Sequence, residues 1–443
     1  MNLSHSILQF ADVLWGLPFT GSIVISGLII TIALGFVQFR YFIRGWQLIF
    51  APVERTKSSS ELTPLQAFIN TLGGSIGVGT IAGVSTALYS GGPGSIFWML
   101  IVGSIGMAVR FAEVYLSTAF IGKAKFRNAT GGPMLYLSKI PAGPFFSISY
   151  AFFCLVFALV AGNGIQANSV ALGASAAWGL SPYLSGAALF LFMLYALMGG
   201  SDRLISLSDK LVPFKVGTFL ISAIIILVYH AASIIPAFKL ILASVFMPSA
   251  VLGGLAGATI QQALRYGFAR GIFANEAGVG TAAVLFGSTK GKNPVEDGIL
   301  SMIGVFITTH IVGLAMALIL LASGVWNNGL TSTALTISAY NTVFGDLGGW
   351  IVTLLAISFG SSVMITYAFI GKQCWEFLFG KKGILIYSGI YAVATFFGAI
   401  MQVDLLWGIG DLINAAMIGI NLFGILWLLK IIRKGLMGYS MHK

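Results

Sequence analysis

Long apolar runs, broken only by short polar connections, recur along the whole chain. About 20 helical residues at ~1.5 Å each cover ~30 Å of hydrocarbon. On that measure the pattern predicts eleven transmembrane helices, near 18–39, 64–90, 95–121, 144–166, 183–200, 211–229, 247–270, 298–322, 348–371, 383–400 and 404–429. The longest polar block is the 40–63 segment, so residues 1–443 read as one all-α membrane domain with no separate soluble unit. Charge checks this threading. Alternate connections carry 22 of the 24 Lys and Arg residues, leaving Lys239 on the other face and Arg110 within a span. Short basic loops stay cytoplasmic, which puts the N-terminus out and the C-terminus in.

The second span is interrupted at mid-depth. Thr71-Leu72-Gly73-Gly74-Ser75-Ile76-Gly77-Val78-Gly79-Thr80 places four glycines and three hydroxyl residues where the lipid is driest. Each glycine costs about 1 kcal/mol against alanine inside a helix, so the cluster favours unwinding. Backbone that leaves the helix there must be taken up by protein or by a water-filled cavity. Two half-helices meeting at such a point aim amides at an anion and loose carbonyls at a cation. Close helix packing is the competing reason for small residues. A fainter echo, Leu252-Gly253-Gly254-Leu255-Ala256-Gly257-Ala258-Thr259-Ile260, falls five spans later. Interruptions at matching places predict a 5+5 inverted repeat, 64–229 and 247–429, preceded by an extra helix at 18–39.

Polar side chains inside spans need a reason. Gln166 ends an apolar helix, where it could bond a zwitterion or serve as an interfacial cap. Ser358, Ser361 and Ser362 share one helix face and offer hard oxygens to a small cation, or glue between helices. Thr259, Gln261 and Gln262 read as mid-depth in the seventh span, with Arg265, Arg270 and Glu276 following towards the cytoplasm. Arg110 and Glu113, at i and i+3, read as a structural or gating clasp rather than a proton relay. His310 is the one in-span histidine able to titrate near neutrality, and packing is the simpler role for it.

Composition adds exclusions. The chain is 57% hydrophobic and only 8% charged, and its net charge of +11 sits in loops beside spans. That is a topology signal, which needs lipid headgroups rather than nucleic acid as partner. Two cysteines in apolar stretches and four scattered histidines predict neither a disulfide framework nor a metal centre. Residues 1–17 lack a basic n-region, so the first span is expected to be retained. An intramembrane enzyme would need clustered His, Asp or Glu. The acidic pair Glu296–Asp297 has no His beside it in the sequence.

In order along the chain, Gly77-Val78-Gly79-Thr80-Ile81-Ala82-Gly83-Val84, Gly91-Gly92-Pro93-Gly94-Ser95-Ile96-Phe97-Trp98-Met99, Phe111-Ala112-Glu113-Val114, Gly131-Gly132-Pro133-Met134, Gly164-Ile165-Gln166-Ala167-Asn168-Ser169 and Arg270-Gly271-Ile272-Phe273-Ala274-Asn275-Glu276-Ala277-Gly278 resemble the alanine/glycine:cation symporter family. The resemblance implies the leucine-transporter-like fold and Na⁺-coupled uptake of a small neutral amino acid, with Na⁺ as coupling ion and no other cofactor. It puts one Na⁺ on the carbonyls of Gly73, Ile76 and Ser358 and the hydroxyls of Ser361 and Ser362. The amides near Val78 and Gly79 would take the substrate carboxylate. With Ser75, Gly77, Thr80, Gln166, Gln262, Phe273 and Tyr367, they form the expected substrate site. Thr80 stands where the family usually has Asn. A proton-coupled carrier, a carrier of another amino acid and a non-transporting amino-acid sensor on the same fold stay open.

Overall fold

A computed structural model describes residues 3–51, 62–122, 126–129, 131–246, 259–289 and 293–441. Among them the architecture is helical, with two isolated β-bridges and no strand. Six helices are long and apolar enough to cross a membrane: Gly94–Ala119, Gly143–Trp178, Gly200–Tyr229, Pro294–Ala322, Leu347–Phe379 and Leu405–Trp427. Shorter apolar helices, Leu17–Ala33, Pro182–Met198 and Ile384–Ile400, occupy three more of the predicted spans. Leu3–Leu14, Ala231–Ala243, Ser332–Phe344 and Leu429–Met441 are further helices outside the eleven-span reading.

The second span is broken as its glycines require. Thr63 caps the first half, its hydroxyl accepting from the Gln66 amide while the Gln66 side chain accepts from Thr63 N. That half-helix, Pro64–Ser75, stops at Ile76, whose ψ of 82° leaves the helical region. The chain resumes through a π turn at Gly79–Gly83 and continues to Gly91, bent by 50° from the first half.

The seventh span differs from the sequence reading. Residues 253–257, the glycine echo, lie outside the described residues, and the helix starts only at Ile260. It stops at Asn275, turns through Glu276 in the left-handed region (φ 54°) and Gly278 and Gly280 at positive φ, then restarts as Thr281–Phe286. Positive φ suits glycine, and the two closely spaced glycines make this the cheap place to turn.

The two broken helices run antiparallel. Leu62, before the first, bridges to Thr289, after the second. At the other end Gly91 abuts Tyr266 and the Gln262 carbonyl. Arg265 and Arg270 therefore lie towards the end away from the 40–63 connection, whereas counting from residue 247 put them on the same side as it. Lys215 also moves. Its helix begins at Gly200 rather than 211, so Lys215 sits about 22 Å along it at ~1.5 Å per residue. It is fully buried, not in a loop.

Broad apolar faces remain exposed on the outer helices, among them Ile25, Ile29 and Ile32 on one, and Ile221, Ile224, Ile225 and Val228 on another. Such continuous apolar surface suits lipid rather than water. Inside, glycines let backbones touch. A Cβ on Gly398 would lie 2.5 Å from Gly164 Cα, a backbone atom with no rotamer to yield. Gly398→Ala gains up to about 1 kcal/mol of helix propensity but loses about 1–3 kcal/mol to overpacking. The net expectation is a lower melting temperature in detergent, whereas Gly419→Ala, with nothing within 4 Å, should hold or raise it.

Candidate functional site

The two breaks meet, and between them is a cavity of about 20 Å³. That is room for about one water. Gly74, Ser75, Gly77 and Gly79 of the first break line it, with Phe273 and Glu276 of the second. Phe157, Ala161 and Gln166 contribute from Gly143–Trp178, and Val363 and Tyr367 from Leu347–Phe379. Of the expected substrate residues, Ser75, Gly77, Gly79, Gln166, Phe273 and Tyr367 share this cavity. Val78 is buried beside it, its amide donating to Gln166 Oε1 at 3.3 Å. Gln166 is held in turn, its Nε2 donating to the Ala161 carbonyl at 3.1 Å, where a π turn interrupts the helix. The hydroxyls of Ser75 and Thr80 are buried without a hydrogen-bond partner. Gln262 is elsewhere. It is exposed at the start of its helix, where it forms a capping box with Thr259.

Glu276 is the residue that sequence reasoning misplaced. It is buried, and its Oε1 accepts from the Tyr367 hydroxyl at 2.5 Å while Oε2 accepts from Thr281 Oγ1 at 2.8 Å. Glu276 thus puts a carboxyl group in the wall of a cavity that the first break also lines, with the unpartnered Ser75 hydroxyl among its groups. The available signal was the Glu276-Ala277-Gly278-Val279-Gly280 stretch itself, a charged residue entering a two-glycine turn.

Arg110 and Glu113 hold this second break. They pair at 3.2 Å (Nε to Oε1), fully buried. Arg110 donates to the Asn275 carbonyl, and Asn421 donates to Glu113 Oε2 at 3.0 Å and the Gly278 carbonyl at 2.9 Å. Tyr150 closes the turn by donating to the Val279 carbonyl at 2.9 Å. The clasp reading fits these contacts. His310 bonds Ser104 at 3.0 Å and stacks on Phe306, away from the cavity.

Of the residues given to Na⁺ by resemblance, Ser362 meets Gly73, but a nitrogen stands on the carbonyls of Gly73 and Ile76. Lys215 Nζ donates to the carbonyls of Gly73 at 2.9 Å and Ile76 at 2.5 Å. Ser362 Oγ donates to the same Gly73 carbonyl at 3.3 Å. Ser361 is buried, and Ser358 Oγ is buried without a partner. Among the described residues no group of three or more His, Cys, Asp or Glu could hold a metal.

Comparison with known proteins places this geometry. The chain is 33% identical to the sodium/alanine symporter AgcS of Methanococcus maripaludis, over 94% of this chain and 92% of that protein. It is 32% identical to the uncharacterized transporter YflA of Bacillus subtilis, over 95% of this chain and 90% of that one. It is 29% identical to the probable sodium/glutamine symporter GlnT of the same organism, over 100% and 91%. A family model described as the sodium:alanine symporter family matches residues 1–443 from end to end, and the chain belongs to that family.

Proposed function

We propose that this chain carries a small neutral amino acid, of alanine or glycine size, into the cell together with Na⁺ by alternating access. The observation that carries the reading is the small cavity where two antiparallel broken helices meet, with Glu276 in one wall and the first break in another. The substrate carboxylate docks on the first break, against the amides near Val78 and Gly79 and the Ser75 hydroxyl. The helix that resumes at Gly79 offers its positive N-terminal end there. The substrate ammonium points to Glu276, and Phe157, Phe273 and Val363 crowd a cavity that must widen to admit even a small amino acid. That crowding favours the substrate class in the name of the methanococcal relative over glutamine.

Residues 64–229 and 247–429 act as inverted repeats in this reading, and the opposed directions of the broken helices support it. The chain sits in the cytoplasmic membrane with the N-terminus out and the basic loops in. Na⁺ drives uptake, as the family's description implies. It does so by binding one arrangement of the bundle better than the other, since an ion with equal affinity for both would shift nothing.

Two measurements test the reading. Proteoliposomes loaded with unlabelled alanine should take up labelled alanine by saturable counterflow. Binding with no exchange would make the protein a sensor. Glu276→Gln keeps the shape and removes the charge, and it should weaken alanine affinity tenfold or more, about 1.4 kcal/mol. An unchanged half-saturation would take Glu276 out of the site. Gln166→Ala should likewise weaken alanine about tenfold while moving the Na⁺ half-saturation much less. Equal losses would mark Gln166 as merely structural.

A further inference from the structure

We infer that the Lys215 ammonium is the resident cation of the first break, standing where the resemblance puts Na⁺, so that in the native protein this position is closed to a free ion. The half-helix Pro64–Ser75 ends inside the bundle, and the carbonyls near its C-terminal end have no further turn to bond. That end is the negative pole of the helix and calls for a positive charge. Here the chain supplies one from the neighbouring helix. Nζ lies 2.9 Å from the Gly73 oxygen and 2.5 Å from the Ile76 oxygen, and the Phe359 ring centroid is 5.5 Å away.

An ion coordinated by both carbonyls would have to occupy the place of the nitrogen itself. The helices Gly200–Tyr229 and Leu347–Phe379 pack tightly on this end of the half-helix: a Cβ on Gly73 would meet Thr366 Oγ1 at 2.9 Å, Val212 Cγ2 at 2.9 Å and Ser208 Oγ at 3.1 Å. Charge points the same way, because two unit positive charges this close repel strongly in a poorly hydrated interior. A lysine at this depth is tolerated only with partners, and the freed carbonyls are those partners. The carboxyl group in the chamber wall is that of Glu276, already bonded to Tyr367 and Thr281. Ions that travel with the substrate are then held by other oxygens, of which the unpartnered Ser75 hydroxyl in the cavity wall is one.

This inference borrows from the symport reading only the role of the break. Its test does not depend on transport. The full-length protein, purified in detergent, is melted in NaCl and in choline chloride of equal ionic strength. Lys215→Ala should melt lower than the native chain in choline. Na⁺ should then recover part of the loss, raising its melting temperature by about 2–4 °C more than it raises that of the native chain. Adding Ser362→Ala should remove the extra response, since Ser362 flanks the Gly73 carbonyl. If Lys215→Ala fails to fold, Lys215→Met keeps the stem, and the same Na⁺-specific gain is expected. A response to Na⁺ equal to the native one in the variant that folds would overturn the assignment. So would Na⁺ binding by the native chain that Lys215→Arg abolishes, which would mean that a free ion shares the lysine's carbonyls. Lost alanine counterflow with the Na⁺ rescue intact would sink the symport reading alone.

Discussion

Everything distinctive in this protein follows from one constraint: peptide groups released from a helix inside a membrane have no water to turn to. Each released donor or acceptor must find a partner supplied by the chain. In the first break the carbonyls of Gly73 and Ile76 take the Lys215 ammonium, and the Val78 amide takes Gln166. In the second the carbonyls of Asn275, Gly278 and Val279 take Arg110, Asn421 and Tyr150. These partners come from four different helices. Unwinding at the centre is therefore bonded outward into much of the bundle, and the chamber keeps its shape without a regular backbone around it.

The same bonds decide which groups remain for cargo. A carbonyl already held by an ammonium is a poor ligand for a free ion, whereas the Ser75 hydroxyl faces the chamber unpaired. Buried polar atoms without partners are costly. The Ser75 hydroxyl is such an atom in the cavity wall. The Arg110–Glu113 pair, with Asn421 and Asn275 around it, serves the turn rather than the substrate.

The sequence made membrane residence, the long spans and the first break legible, because apolar length and clustered glycine act locally. It was less informative about the second break. Glycine density drew attention to 253–257, but the chain turns at Glu276–Gly280, where two glycines at positive φ coincide with polar partners brought in from distant helices. Arg110, Tyr150 and Asn421 supply those partners across long sequence separations, and no local pattern announces them. Lys215 was misread for a related reason. Counting charges by loop assumes that a lysine near a span end reaches water, and an earlier helix start at Gly200 carries this one into the core. Gln262 was misassigned because depth was counted from a helix start that lies further along the chain than apolarity indicated.

Tyr367 carries a consequence of its own. The base of its ring abuts Gly162, so closely that even a methyl group at that position would overlap it. Its hydroxyl meanwhile ends on Glu276. Gly162 does not line the chamber, yet the missing side chain there is what lets the phenol stand back from it. The size of molecule this protein admits is thus written partly behind the wall, in an atom that is not present.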